Sequence, residues 1–387
     1  MQREFIQFSA PFIGEEEIKE VVDSLRSGWI TTGPKVKEFE KRICNYVGAK
    51  YAVATFSGTS ALFLSLKASG IKEDDEVIVP TFTFASTAHV VVHCGAIPVF
   101  VDSDPKTFQI DTAKIEEKIT AKTKAIIPVH YGGNLVEMGD VFALAKKYNL
   151  KVIEDAAHAI GSEYQGKKIG SLESNATCFS FYATKNITTA EGGMVVANNK
   201  NIIENIRKMT MYGISDSREI WEKRYEVEGD WFYDIEMVGY KANMTDLSAA
   251  IGIHQLAKLD RFIGQRQRYA EIYYSELGDL ECDFMEIKKG NKSSWHLFPL
   301  LLHPQVERDS FIYDLKKMAI GTSVLFRPLH LHSAYKNLFP AEHGDFPISE
   351  SVYNRLINLP LSPSIKENDI LYVCKTIKTL IGKFIKN

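Results

Sequence analysis

Four short stretches hold residue types whose chemistries fit together. Lys185 lies in Ser180-Phe-Tyr-Ala-Thr-Lys185-Asn186, at the end of the apolar run TCFSF. An amine among apolar and small neighbours is partly desolvated. That disfavours its charge, lowers its pKa and makes it a usable nucleophile, although most lysines snorkel their charge into water. Asp155 closes the run KVIE and precedes the small residues AAHA. Ligands of open α/β sheets gather at the carboxyl ends of strands, where this carboxylate would point; an aspartate there also serves as a helix cap. Ser57-Gly58-Thr59-Ser60 follows the run YAVAT and opens ALFLSLKA. Free N–H groups and the helix dipole make such a start an anion site, and the same residues make an ordinary N-cap. Glu191-Gly192-Gly193 lets the chain turn back sharply into MVVA.

Together these parts describe a pyridoxal phosphate site. The lysine joins the aldehyde, the strand-end aspartate keeps the pyridine nitrogen protonated, and the helix start with its hydroxyls takes the phosphate. Phe84, in Pro80-Thr-Phe-Thr-Phe84, is the candidate to cover the ring.

The surrounding pattern supplies the platform. Apolar runs of strand length at 51–55, 76–79, 97–101, 124–129, 151–154, 177–182 and 194–197 alternate with segments of helical length at 60–69, 84–94, 112–119 and 136–148. Strands that are apolar throughout and separated by helices predict a mostly parallel sheet covered on both faces. Two helices precede it: Ile18, Val21, Val22 and Leu25 share one face of the first, and Val36, Phe39, Ile43 and Val47 one face of the second. A helical stretch over 245–277 leads into a smaller α+β part. The expected class is therefore α/β, a three-layer sandwich with a smaller C-terminal domain, divided as residues 1–255 and 256–387. The charged, aromatic segment between Ile214 and Met237 reads as a substrate loop or a surface insertion.

Composition excludes several other classes. A net charge of −3 over 387 residues offers no basic excess for nucleic acid. The five cysteines are scattered and form no CxxC pair, so neither a disulfide framework nor a zinc cluster is signalled, and no metal is expected. No run approaches 18 apolar residues and the first residues lack a signal-peptide pattern, so a cytoplasmic protein with no membrane partner is expected. Gly161 to Lys168 imitates a P-loop, but Lys168 stands where a Mg²⁺-binding hydroxyl is required. His89 and His93 have the spacing of a zinc pair, but Val90 replaces the glutamate such a site needs. There is no GxGxxG.

The sequence resembles the nucleotide-sugar aminotransferases of the DegT/DnrJ/StrS group, of aminotransferase fold type I. The resemblance spans nearly the whole chain. Among its blocks are GWITTGPKVKEFE, SGTSAL, DEVIVPTFTFAST, IEDAAHAIGS, FSFYATKNITTAEGG, MTDLSAAIGIHQL and FRPLHLHSAY. It implies that Lys185 is the Schiff-base lysine, that Asp155 binds the pyridinium nitrogen, and that His158 lies near the ring. It also implies that Thr59, Ser60 and Ser180 take the phosphate, with Ser57 and Gly58 of the same helix start beside the cofactor, and that Phe84 stacks on the ring. The family completes its phosphate site with an asparagine from a neighbouring subunit. Here Lys241 and Asn243 occupy the corresponding stretch, so either one is a candidate, and a homodimer with active sites at the interface is implied.

The same resemblance points to transfer of an amino group from L-glutamate to the C-4 ketone of a nucleotide-linked keto-sugar, in amino-sugar or polysaccharide biosynthesis. Amination at C-3, or a non-catalytic cofactor-binding regulator, are the alternatives. Trp29, Thr32, Arg327, His330 and His332 are the candidate sugar contacts, with packing in the small domain the plain alternative for the histidines. Arg218, Lys223 and Arg224 are candidates for the diphosphate.

Overall fold

The computed structural model describes residues 3–214, 233–339 and 341–384. Helices α1 (Glu15–Ser27) and α2 (Pro34–Val47) lead into β1 (Tyr51–Thr55), α3 (Gly58–Ala68), β2 (Glu76–Pro80), α4 (Ala85–His93) and β3 (Ile97–Val101). Next come β4 (Thr123–Ile126), α5 (Met138–Tyr148) and β5 (Lys151–Asp155). A small hairpin of β6 (Glu163–Tyr164) and β7 (Lys167–Lys168) precedes β8 (Ala176–Ser180), β9 (Gly193–Ala197) and α6 (Lys200–Thr210).

Seven of these strands form one sheet in the order β1-β9-β8-β5-β4-β2-β3. Only β9 runs against its neighbours; the β8–β5, β5–β4, β4–β2 and β2–β3 pairs are parallel. The side-chain period of two sends alternate residues into two cores. Ile78 and Val152 join Phe39, Ile43 and Phe179 on one face, whereas Val77, Val79 and Ile153 join Leu62, Leu66 and Val91 on the other. This is the expected three-layer sandwich.

Helix α7 (Asp246–Leu277) is 32 residues long, about 48 Å at 1.5 Å per residue. Its first half puts Ile253, Leu256, Leu259 and Phe262 into the α2 side of the large core. Its second half puts Tyr269, Tyr273 and Leu277 into another core, built on the antiparallel sheet β10 (Asp283–Phe284), β11 (Phe298–Leu301) and β12 (Leu356–Leu359). Helices α8 (Arg308–Lys317), α10 (Pro347–Arg355) and α11 (Glu367–Phe384) complete that part, whereas α9 (Ser333–Leu338) puts Tyr335 into the core on the α3 side of the large sheet. Position 255/256, where the sequence suggests a division, lies inside α7.

Two local expectations change. Residues 112–119 do not make a continuous helix but two 3₁₀ turns, Thr112–Lys114 and Glu116–Lys118. Ile115 alone in this stretch is buried, and a single anchor does not hold a longer helix against its entropy cost. Helix α1 forms where the spacing places it, but its apolar stripe faces outward. Ile18 is 48% and Leu25 56% exposed, while Glu17 and Ser24 are buried against the body of the protein. Glu17 is held there by Lys258 at 2.7 Å and by Gln255 at 2.9 Å, both on α7.

Candidate active site

The carboxyl ends of β1, β2, β5 and β8 open on one cavity of about 450 Å³, within the roughly 300–1,000 Å³ usual for cofactor sites. Ser57, Gly58 and Thr59 line it from the start of α3, Asp155 and His158 from the end of β5, and Ser180 and Lys185 from the end of β8. Phe84, 58% exposed, stands at its wall beside Phe326, with ring centroids 5.7 Å apart.

Asp155 is buried, and both its oxygens are held. Thr87 Oγ1 donates to Oδ2 at 2.8 Å and the Ala157 amide to Oδ1 at 3.2 Å. Burial pushes its pKa up, opposed by those two donors and by the charges of Lys185 and His130. Lys185 keeps a partly accessible surface, but enough protein surrounds its amine that burial lowers the pKa to about 8, against the pull of Asp155. His158 is buried and held well below the ordinary imidazole range by burial and by the nearby Lys185 charge.

At the other end, Ser57 Oγ accepts the Ser60 amide at 3.1 Å and lies 2.7 Å from Ser60 Oγ. The Gly58 and Thr59 amides head the helix with no intrahelical acceptor, which is the arrangement that receives an anion. Close approach explains two glycines. A Cβ on Gly58 would lie 2.7 Å from Ser180 Cβ, and one on Gly193 would lie 2.3 Å from the Ser57 carbonyl oxygen.

These features fit pyridoxal phosphate. A buried carboxylate, unfavourable by itself, is stabilised by a ring N–H⁺. A desolvated amine suits an aldehyde, and a helix start lined by hydroxyls suits a phosphate.

The other sequence candidates separate from this cavity. Trp29, Thr32, Lys241 and Asn243 line a second one, of about 290 Å³, with Arg207. There Asn243 Nδ2 donates to Thr32 Oγ1 at 2.6 Å, and burial lowers the Lys241 pKa. Arg327 and His332 are exposed; Arg327 donates to the Leu331 carbonyl. His330 departs from the expectation of a sugar contact. It has no exposed surface, and its ring is held between Thr81 Oγ1 (2.7 Å) and Glu350 Oε1 (3.0 Å). Arg218, Lys223 and Arg224 lie outside the described residues.

Thr87, Phe326 and His296 were not legible as site residues from the sequence. Thr87 is the third residue of α4, so a helix-start hydroxyl was its only signal. Phe326 and His296 come from the C-terminal part and reach the cavity only through the fold.

The profile of the DegT/DnrJ/EryC1/StrS aminotransferase family matches residues 11–378. The chain belongs to that family. Among curated relatives, the spore coat polysaccharide biosynthesis protein SpsC of Bacillus subtilis is 42% identical over 384 residues, with 97% of each chain covered. Among solved structures, the putative sugar aminotransferase Spr1654 of Streptococcus pneumoniae in its PMP form superposes with a TM-score of 0.91 at 34% identity, covering 99% of both chains. Its PLP form gives the same score and identity. Helicobacter pylori PseC, an aminotransferase of pseudoaminic acid biosynthesis, gives 0.89 at 30% identity, covering 99% of this chain and all of that one. As a member of the DegT/DnrJ/EryC1/StrS family the protein is an aminotransferase with the fold of these neighbours. None of its described helices is long and apolar enough to cross a membrane.

Proposed function

We propose that this chain is a sugar aminotransferase with pyridoxal 5′-phosphate as cofactor, and that it moves an amino group from L-glutamate to the C-4 ketone of a nucleotide-linked keto-sugar. The observation that carries the reading is the pairing in one cavity of a desolvated amine, Lys185, with a buried strand-end carboxylate, Asp155. The PLP and PMP forms of the pneumococcal neighbour support the cofactor, and the polysaccharide and pseudoaminic acid roles of SpsC and PseC support a sugar as acceptor.

When bound, the cofactor supplies an aldehyde to be captured by amines and a ring that accepts electron density from a carbanion. Each residue then has a defined task. Lys185 Nζ would be the attachment point and, as a free amine, would carry the proton taken from the donor's α-carbon. Burial lowers its pKa to about 8, which eases loss of its proton near neutral pH. Asp155, fixed by Thr87 and Ala157, keeps its negative charge against the ring nitrogen, and a charge preorganised in a dry site acts without reorganisation. Thr59, Ser180 and the amides at the start of α3 bind the phosphate. Phe84 would cover the ring, and His158 would donate to its oxygen.

The protein works in the cytoplasm as a homodimer. The outward apolar stripe of α1 and the exposed Tyr212, Ile235, Val238 and Tyr240 support a covering partner. Lys241 or Asn243, set in a separate cavity from Lys185 with Trp29 and Thr32, serves the partner's site, where Trp29 and Thr32 face the sugar nucleotide; Arg327 and His332, both exposed, are its further contacts.

The test is to load the enzyme with pyridoxamine phosphate and incubate it with a panel of nucleotide-linked 4-keto and 3-keto sugars, reading products by mass spectrometry and NMR. An amine at C-4 of one panel member, with conversion of the cofactor band, supports the proposal. Amination only at C-3, or of simple 2-oxo acids alone, overturns it.

A further inference from the structure

His296 is an imidazole for which the chemistry above has no use. It lies just ahead of β11, is 4% exposed and lines the Lys185 cavity, with its ring centroid 4.2 Å from that of His158. Hydrogen bonds assign both tautomers. Asn186 Nδ2 donates to the Ser294 carbonyl at 2.8 Å, so Asn186 Oδ1 is the atom 3.1 Å from His296 Nδ1, and that nitrogen must carry a proton. Burial above all, with the charges of Lys185 and Arg266 adding to it, keeps His296 from taking a second proton. His158 has the opposite tautomer: the Gly132 amide donates to its Nδ1 at 3.2 Å, so the proton is on Nε2.

The segment carrying His296 is clamped in turn. Arg266 of α7, 1% exposed, donates from Nη1 to the carbonyls of Trp295 (3.2 Å), His296 (3.3 Å) and Leu361 (2.6 Å). It has no carboxylate partner among the described residues, and burial lowers its pKa to about 10. A buried cation without a counter-ion is costly, so these carbonyls are what compensate it. A hydrogen-bonded path therefore runs from α7 through the 295–296 backbone and the His296 ring to Asn186, the residue next to Lys185.

We propose that His296 is a positioning residue for Lys185, acting through Asn186: its Nδ1–H···Oδ1 bond fixes the backbone from which the reactive amine reaches the cofactor. This rests on the reading of Lys185 as the attachment point. A lysine released and recaptured in each cycle must return along one path, and misplacement of a reacting group by about 1 Å costs up to about a hundredfold in rate.

Two substitutions separate the ring's two nitrogens. In His296→Asn the side-chain amide N–H takes the place of Nδ1–H and can still reach Asn186, whereas His296→Gln keeps a polar atom near Nε2 and loses that bond. His296→Phe loses both. The rate of the glutamate half-reaction and the midpoint of the pH-dependent visible absorbance of the holoenzyme are measured for each, with Asn186→Ala and the double variant Asn186→Ala/His296→Phe. The expected result is that His296→Phe and His296→Gln slow the half-reaction by about tenfold or more and move the midpoint. His296→Asn recovers most of that loss, and the double variant is no slower than Asn186→Ala alone. The proposal is overturned if His296→Gln matches the parent, if His296→Asn is as slow as His296→Phe, if the midpoint stays fixed, or if the effects of Asn186→Ala and His296→Phe multiply. Should His296→Phe not fold, Asn186→Ala breaks the same bond from the other side, and parental behaviour in that variant overturns the proposal alone. Failure of the underlying reading looks different: Lys185→Ala would then leave the visible band of the parent unchanged.

Discussion

Thr87 Oγ1 donates to Asp155 Oδ2 at 2.8 Å, and because its single proton is committed there, the Thr83 hydroxyl 2.9 Å away must donate to Thr87. A chain of two hydroxyls from the start of α4 thus steadies the carboxylate at the end of β5. Thr87→Val keeps the shape and removes the donor. A lost hydrogen bond to a charged group costs about 1.5–3 kcal/mol, so cofactor affinity is expected to fall by roughly tenfold to a hundredfold. Equilibrium dialysis of pyridoxal phosphate measures this; unchanged affinity would mean that Thr87 does not steady the charge Asp155 presents to the ring.

Lys185→Ala is expected to abolish turnover and the pH-dependent visible band of the holoenzyme, while the protein still retains cofactor through Asp155 and the start of α3. Absorbance after gel filtration and a glutamate-dependent assay check both halves. Repeated turnover at a near-parental rate would refute the role given to Lys185.

The lowered Lys185 pKa also predicts a pH-dependent stability in the apoenzyme. The folded protein releases this proton near 8 and the unfolded chain near its ordinary 10.5, so between those values the unfolded state binds more protons and stability rises with pH. Below about 8 the buried charge costs up to about 3 kcal/mol. Lys185→Met apoenzyme should exceed the parent in urea unfolding at pH 7 by up to that amount, with the gap closing by about pH 10. A gap that is absent or independent of pH contradicts the burial.

His330→Phe tests packing against sugar contact. It removes the link between Thr81 and Glu350 and leaves a buried carboxylate short of one donor, a loss of about 1–3 kcal/mol in unfolding free energy. The expected result is a lower urea midpoint with the Michaelis constant for the sugar nucleotide nearly unchanged. A tenfold rise in that constant with unaltered stability would restore His330 as a substrate residue.

Ile18→Lys with Leu25→Lys places two charges on the outward stripe of α1. A dimer that buries this stripe should dissociate, read as a halved mass by sedimentation, with activity lost if the partner completes the site. If the double variant sediments as the parent does, α1 is not at the subunit boundary.

Much of the platform was legible because burial on both faces leaves a local mark. Runs such as EVIV and KVIE, of strand length and set between helical segments, read as interior strands, Asp155 and Ser57 follow such runs closely, and Lys185 lies just past another. What escaped depends on distance along the chain. His296 meets Asn186 across 110 residues, and no periodicity records that meeting. The stripe of α1 shows the opposite limit: Ile18 and Leu25 predict a helix correctly, but amphipathicity cannot say whether the apolar face meets its own chain or another. His330 reads as a polar candidate in a loop until its two buried partners are seen.

Ser180 and Gly193 face each other on paired strands, so the excursion that carries Lys185 leaves and re-enters the sheet at a single rung. Chain added or removed between two joined feet shifts no strand, and its entropic cost grows only with the logarithm of length. The rung fixes where the reactive segment departs from the sheet, and the buried Asn186 and Ile187 fix its far side, so the amine's point of origin and its reach are set by separate contacts.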